Sequence, residues 1–386
     1  MIKIGKQYIQ DFNGKTRLYC DIDIDSENRK IWFEVEKKYE EYLVCDRADA
    51  YLIGILNYAM RNNHNIECDM PVTDELLYNI KEVLIPSLVK HDNKLYNIEI
   101  KAETIEPYKA GEHIGTGLSC GVDSFYSILK HNTEAYKSMK LTDVCINSVG
   151  SFNESYKIKS VDNVKKQRYE MTTAVANELG INLIKTDSNF WEEINQVHLL
   201  SHTYSSTFAI YMLQKYWKKY YYASSGYDFE NFELDNNSQN DCAEYELLSL
   251  QCFSTSSIRI YSDGGELTRI EKVNYISKYS IAQKYLHVCI LDSKNCGECS
   301  KCIRTLLSLE ALNELENFRE VFDIEKYKTN RRKYYNWLWQ RHYVKDEMNE
   351  PTYQILKKRK EYKVSCLYKI KTIIKELIKK VLRKNK

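Results

Sequence analysis

Apolar and polar positions along this chain change their rhythm near residue 110, and that change divides the sequence in two. Before it, residues 30–36 (KIWFEVE) are strand-like, residues 49–61 and 73–89 repeat apolar side chains at helical spacing, and residues 96–100 are strand-like again. These features predict a separate small α+β region over residues 1–108. Beyond it, strands and helices alternate. Residues 113–118 predict a strand running into a glycine-containing turn, then an apolar helix from about Val122. Residues 141–149, 181–186 and 219–224 predict three more strands. Val164, Met171, Val175 and Leu179 fall on one face of a helix that stops at Gly180, and residues 202–217 read as another helix. This alternation implies right-handed βαβ units and a parallel sheet, with ligands expected at the C-terminal ends of the strands. The expected class is α/β. Residues 109–320 form the sheet domain, and residues 321–386 form a helical C-terminal region.

Composition narrows the class without changing this picture. A chain of 386 residues suggests two or three domains at about 150 residues each. With 43% hydrophobic and 28% charged residues it is ordinary globular material, which excludes a disordered chain. The first ten residues alternate and lack the apolar core of a secretory signal. The longest apolar-looking stretch, residues 50–60, contains Gly54 and Asn57 and falls short of the about 20 residues a membrane span takes. The expectation is a cytoplasmic protein. Its 12 cysteines then point to metal binding or isolated buried thiols, not to a disulfide framework. Charge is unevenly spread. Residues 355–386 hold 11 Lys, 2 Arg and 2 Glu, a net of +11, so the other residues carry −9 of the chain's +2. An acidic body disfavours nucleic acid as a general partner.

The turn after the first parallel strand carries the first candidate chemistry. Gly117-Leu118-Ser119-Cys120-Gly121-Val122-Asp123-Ser124-Phe125 stands between a strand and a helix. Small residues let backbone N–H groups approach an anion, and the helix dipole favours negative charge there. Ser119 and Ser124 add hydroxyl donors, whereas Asp123 would repel phosphate and suits Mg²⁺ or loop ordering. A plain glycine turn gives the same six residues. There is no G-K-[ST], so this is not a Walker loop. The segment Ser119-Cys120-Gly121-Val122-Asp123-Ser124 resembles the S-G-G-x-D-S signature of PP-loop ATP pyrophosphatases. The resemblance implies an adenine nucleotide alpha-hydrolase-like, Rossmann-like (HUP) domain. It also implies cleavage of ATP between the α and β phosphates, with pyrophosphate released and a substrate adenylated. Cys120 replaces the first glycine of the pair. Cysteine does not adopt positive φ freely, which predicts a reshaped loop. Cysteine is still small enough to stand as a plain replacement for glycine, which is the favoured reading, and a nucleophilic Cys120 at a helix N-terminus is the other.

A second cluster lies downstream. Cys296, Cys299 and Cys302 are separated by two residues each, and Cys289 precedes them by seven. Two-residue gaps allow chelation from a tight turn, eased by Gly297, and four thiolates suit tetrahedral Zn²⁺. An iron–sulfur cluster and scattered buried thiols are the alternatives. Four cysteines close the coordination shell, so such a zinc would be structural. The run His287-Val-Cys289 to Asn295-Cys296-Gly-Glu-Cys299-Ser-Lys-Cys302-Ile-Arg304-Thr305 resembles the zinc segment of the 7-cyano-7-deazaguanine synthase group. Those enzymes also place a PP-loop before four zinc cysteines. Residues 167–170, 174–180 and 249–272 add similarity, so the resemblance spans roughly residues 110–320. It covers neither the N-terminal region nor the tail, and the deazaguanine-recognising residues are not found. ATP, Mg²⁺ and Zn²⁺ carry over; the substrate does not.

Other residues complete the expectation. Arg168, Arg269, Lys272 and Arg304 are candidates for contacting phosphates or an acidic substrate, each weighed against a solvated surface charge. Arg269 and Lys272, three apart, could share a helix face. Asp228 could hold metal or substrate, and His198 and His202 read as core or helix-end residues. In the tail, Ile370, Ile373, Ile374, Leu377, Ile378, Val381 and Leu382 follow helical spacing with lysines opposite. That basic amphipathic helix would dock on the body, on a protein partner, or on an anionic membrane surface. A homodimer is left open. The expected activity is ATP-dependent adenylation of a small molecule, base or peptide, followed by displacement of AMP by a nucleophile such as ammonia. The alternatives are a thiolation-type RNA-modifying enzyme and a non-catalytic nucleotide-binding module.

Overall fold

The structure, a computed structural model, describes residues 1–150, 161–225, 229, 232–234 and 241–384. They fall into two compact units, Met1–Ser119 with Asp123–Glu266, and Cys120–Val122 with Leu267–Lys386.

The first unit is built on one ten-stranded sheet. Three N-terminal strands, β1 (Ile2–Phe12), β2 (Lys15–Ile24) and β3 (Glu27–Glu36), form an antiparallel meander. Only β3 was expected from the sequence. Alternation of inward Thr16, Leu18, Cys20, Ile22 and Ile24 with outward polar residues is what makes β2 a half-buried strand. Short strands β4 (Ile66–Cys68) and β6 (Ile100–Lys101) continue this edge, while β5 (Val72–Thr73) and β7 (Thr104–Ile105) pair apart from it. Five parallel strands make the other half: β8 (His113–Gly117), β9 (Asp143–Ser148), β10 (Asn182–Ser188), β11 (Trp217–Ala223) and β12 (Arg259–Asp263). The full order is β12-β11-β8-β9-β10-β3-β2-β1-β4-β6. The two halves meet where β3 pairs antiparallel with β10. Residues 1–108 and the parallel strands therefore share a single sheet.

Within the parallel half the chain runs outward from β8 to β9 and β10, then crosses back to β11 and β12. Strand order reverses between β8 and β11. Crevices outside the C-terminal strand ends form at such a reversal. The expected helices are present as Val122–Asn132, Val161–Leu179 and His198–Met212, the last starting four residues earlier than its pattern suggested. Gly180 ends the second with φ +64°. Alternate residues of β11 face opposite sides of the sheet. Tyr221 stacks on His131 of helix Val122–Asn132, with ring centroids 3.6 Å apart. Its neighbours Tyr220 and Tyr222 meet Cys145 and His202 instead. Helix Asp49–Arg61, in its expected place, packs against His198–Met212.

The second unit is helical. Helix Arg269–Ile276 starts with a capping box: the Thr268 hydroxyl accepts from Glu271 N at 3.2 Å, and the Glu271 carboxylate accepts from Thr268 N at 2.8 Å. Helices Ser300–Ala311, Arg331–Tyr343 and Cys366–Lys384 follow. Glu310 is buried but satisfied, receiving the hydroxyls of Tyr327 and Tyr335 and an ion pair from Arg331 at 2.8 Å.

Candidate functional site

The turn between β8 and helix Val122–Asn132 stands at the strand-order reversal, on the C-terminal end of β8. Leu118 N–H donates to Cys145 O at 2.7 Å, tying the turn's first residue to β9. The Ser124 hydroxyl donates to Gly117 O at 3.0 Å and accepts Ser119 N–H at 3.0 Å. Ser124 thus braces the turn. The expectation that its proton serves a phosphate gives way to this internal use, and the Ser119 amide is engaged with it. An anion cradle here has to draw on N–H groups further along the turn.

Cys120 stands where the S-G-G-x-D-S signature has its first glycine. It sits at φ +60°, the left-handed conformation a glycine would take. For a residue bearing a Cβ this conformation is strained by about 1–2 kcal/mol. Its carbonyl accepts His287 N–H at 2.8 Å, both residues belonging to the second unit. The thiol is 0% exposed, so it presents no face to a substrate and the nucleophile reading lapses. Asp123 lies in the first turn of the helix, half-buried. The helix is anchored at its other end: Asp263 accepts from His131 at 2.9 Å and pairs with Lys130 at 3.1 Å. Burial opposes the Asp263 charge, but the His131 hydrogen bond and the Lys130 charge hold its carboxyl at about 2.

The four expected cysteines do converge. Sulfurs of Cys289, Cys296, Cys299 and Cys302 all lie within 4.8 Å of one another. Backbone amides point at them. Cys296 Sγ accepts from Glu298 N and Cys299 N at 3.3 Å, Cys299 Sγ from Cys302 N at 3.4 Å, and Cys289 Sγ from Leu291 N at 3.4 Å. Gly297 supplies the positive φ, +71°, that the Cys296 turn needs. Cys299 then caps helix Ser300–Ala311. Asn295 fastens the two arms: its Oδ1 accepts from Val288 N and Cys289 N at 2.9 and 3.2 Å, and its Nδ2 donates to Leu286 O and Val321 O at 2.8 and 3.1 Å. Hydrogen bonds from the Cys289 and Cys302 thiols pull the Cys299 thiol strongly downward, as expected of sulfurs crowded around one charge. Four soft donors, aimed amides and a closed shell fit a metal such as zinc.

The remaining candidates are distributed over both units. Arg168 lies in helix Val161–Leu179 of the first unit; Arg269, Lys272 and Arg304 lie in the second. Arg269 opens its helix and Lys272 follows one turn on, as expected. Lys272 is 0% and Arg168 9% exposed, so neither is a solvated surface charge. Arg304 Nε donates to Asn349 at 3.3 Å. Asp228 lies outside the described residues.

A further polar set escaped the sequence reading. His202 Nε2 lies 2.9 Å from Asp241 Oδ1, its Nδ1 3.1 Å from the Tyr222 hydroxyl, and Cys242 completes a group with donor atoms within 4.8 Å. Thr203 N donates to Cys242 Sγ at 3.5 Å. Burial would lower the His202 pKa, but Cys242, Tyr222 and Asp241 raise it well above the usual value. In the same turn, burial together with Asp241 and Glu233 pushes Glu244 up to about 7. No spacing rule links residues 202 and 241, which only the fold brings together. An open depression lined by Lys15, Lys165, Lys166, Tyr169 and Lys185 contains no residue of the turn. No family model, curated protein or solved structure matches the chain.

Proposed function

We propose that this chain is an ATP-dependent adenylating enzyme of the PP-loop class, releasing pyrophosphate, with an adenine nucleotide alpha-hydrolase-like parallel sheet. One observation carries the reading: the turn 119–124 stands on the C-terminal end of β8, where strand order reverses, with a helix N-terminus behind it. Cys120 at positive φ is compatible with it, because that is a conformation glycine adopts freely at the position where the S-G-G-x-D-S signature has one. In the reaction, an acceptor oxygen attacks the α-phosphate, pyrophosphate leaves with the bond between the α and β phosphates, and a nucleophile such as ammonia displaces AMP. Asp123 would hold Mg²⁺, which offsets the phosphate charge, and buried Arg168, in the same unit as Asp123, is the cation suited to charge developing on pyrophosphate. The acceptor is a small molecule, a base or a peptide. The four cysteines hold structural zinc.

A pyrophosphate-release assay with ATP, Mg²⁺ and candidate acceptors tests this. The products expected are AMP and pyrophosphate, and Asp123→Ala should lower the rate by about a hundredfold or more. ADP and phosphate would overturn the reading. ATP binding without pyrophosphate release for any acceptor would instead support a non-catalytic nucleotide-binding module.

A further inference from the structure

Helix Cys366–Lys384 is held in the second unit by one side only. Tyr368 donates its hydroxyl to Gln340 Oε1 at 2.7 Å, Ser365 N donates to Asn336 Oδ1 at 2.9 Å, and Lys369 Nζ lies 5.4 Å above the Trp339 ring. Thr372, on the same side, is 5% exposed. The opposite side is turned out. Leu367, Ile370, Ile374, Leu377 and Ile378 are each 52–72% exposed. Spacings of three and four residues align them as one stripe along the helix. Lys371, Lys375 and Lys379, one turn apart, line a flank of that stripe, and Lys379 also reaches Glu376 at 2.7 Å.

We propose that this stripe is a binding site for an anionic phospholipid surface, on which the helix lies flat. Docking through Tyr368, Lys369 and Thr372 already uses the inner side, so the five aliphatic side chains cannot turn inward without undoing it. Contiguous exposed apolar side chains of this kind mark interaction sites. Charge selects the partner. Residues 355–386 carry a net of +11, so a second copy of this chain would bring the same charge against the same lysines. An anionic leaflet offsets that charge and buries the stripe together. No described helix is long and apolar enough to cross a membrane, which fits a helix lying in the interface. This inference does not rest on the nucleotide reading.

Co-sedimentation of the full chain with phosphatidylcholine vesicles, with and without about a third phosphatidylglycerol, is the test. Binding should be at least tenfold tighter on the anionic vesicles and should weaken at least fivefold at 0.5 M salt. The double variant Ile374→Glu/Ile378→Glu should lose binding, and Lys371→Gln/Lys375→Gln/Lys379→Gln should lower it roughly a hundredfold. All these side chains are exposed, so the thermal melt should stay that of the parent. The lysine variant keeps the apolar stripe and so separates lipid binding from any loss of helix. Equal binding to neutral vesicles, or none to either, would overturn the proposal. A dimer in sedimentation velocity that Ile374→Glu/Ile378→Glu disperses would overturn it too, assigning the stripe to a second copy.

Discussion

Two turns in this protein solve the same local problem by opposite means. At 119–124 and at 295–302 the chain reverses just ahead of a helix, each time with one residue at positive φ, Cys120 and Gly297. In the cysteine turn three amides point at two sulfurs, and the Leu291 amide points at a third, that of Cys289, within one small volume. Everything there converges on one point, and nothing is left over for a substrate. In the loop, the Ser124 hydroxyl braces the backbone and the strained residue is a buried cysteine. Its geometry is set from outside, by β8 and by the anchored far end of its helix. A bound ion would gather the cysteine turn, whereas the loop at 119–124 is held by its neighbours. That contrast predicts a ranking of mutational effects.

Metal removal should be the largest. With four crowded sulfurs and no ion, the turn loses the interaction that gathers it, and structural zinc contributes on the order of 10 kcal/mol to folding of such sites. Cys299→Ser/Cys302→Ser, or prolonged chelation, should therefore strip the metal and unfold the second unit. Metal analysis and amide exchange read this out. A chain that keeps amide protection over 287–311 without metal would show that the cysteine turn is held like the loop, and the contrast would fail.

Asn295→Ala comes next. It leaves two amides and two carbonyls without partners, which at about 1 kcal/mol each is roughly 3–4 kcal/mol. Zinc affinity should fall with it, because Asn295 acts on both arms. Urea unfolding with and without added zinc separates the two losses. If stability drops while affinity holds, Asn295 merely fastens the unit and does not orient the ligands.

On the loop side the anchor is testable by pH. Asp263 has a folded-state carboxyl near 2, below the unfolded value of about 3.9. Its contribution is therefore complete above about pH 4 and is lost as pH falls from there toward 2. Asp263→Asn should cost about 2 kcal/mol at pH 7, and the gap to the parent should close across that acid window. A gap independent of pH would mean that the loss is one of packing, and the helix after the loop would owe nothing to the ion pair.

The sequence made some of this legible. The parallel strands β8 to β11 follow from runs such as LTDVCINSV, and all four cysteines were placed by their gaps alone. β12 was missed because Ile258 to Tyr261 is a short run beside serines, too brief for a period to show. β1 and β2 were missed although the first residues alternate visibly, since alternation alone does not name a partner strand. The joining of β3 to β10 and the meeting of His202 with Asp241 are pairings across long sequence distance. No local pattern encodes those. The chain has 32 tyrosines, which no spacing in the sequence accounts for. Several prove to be core residues with a hydroxyl partner, as Tyr221 to Met139 O at 2.8 Å and Tyr216 to Asp143 at 2.9 Å.

The smallest expected effect bears most directly on the comparison. Cys120→Gly removes a Cβ from a left-handed residue, which should relieve about 1 kcal/mol of strain. Against that, it gives up a fully buried thiol and lets the unfolded chain roam more widely, a loss of similar size. The net should lie within about 1 kcal/mol of zero, read by urea unfolding. Activity should respond differently. If the turn carries nucleotide through its backbone, a glycine at 120 keeps the amides in place, and pyrophosphate release should stay within about threefold of the parent. A collapse of activity at unchanged stability would mean that the thiol itself acts, and the loop would then resemble the cysteine turn, chemistry held in side chains, more than a backbone cradle.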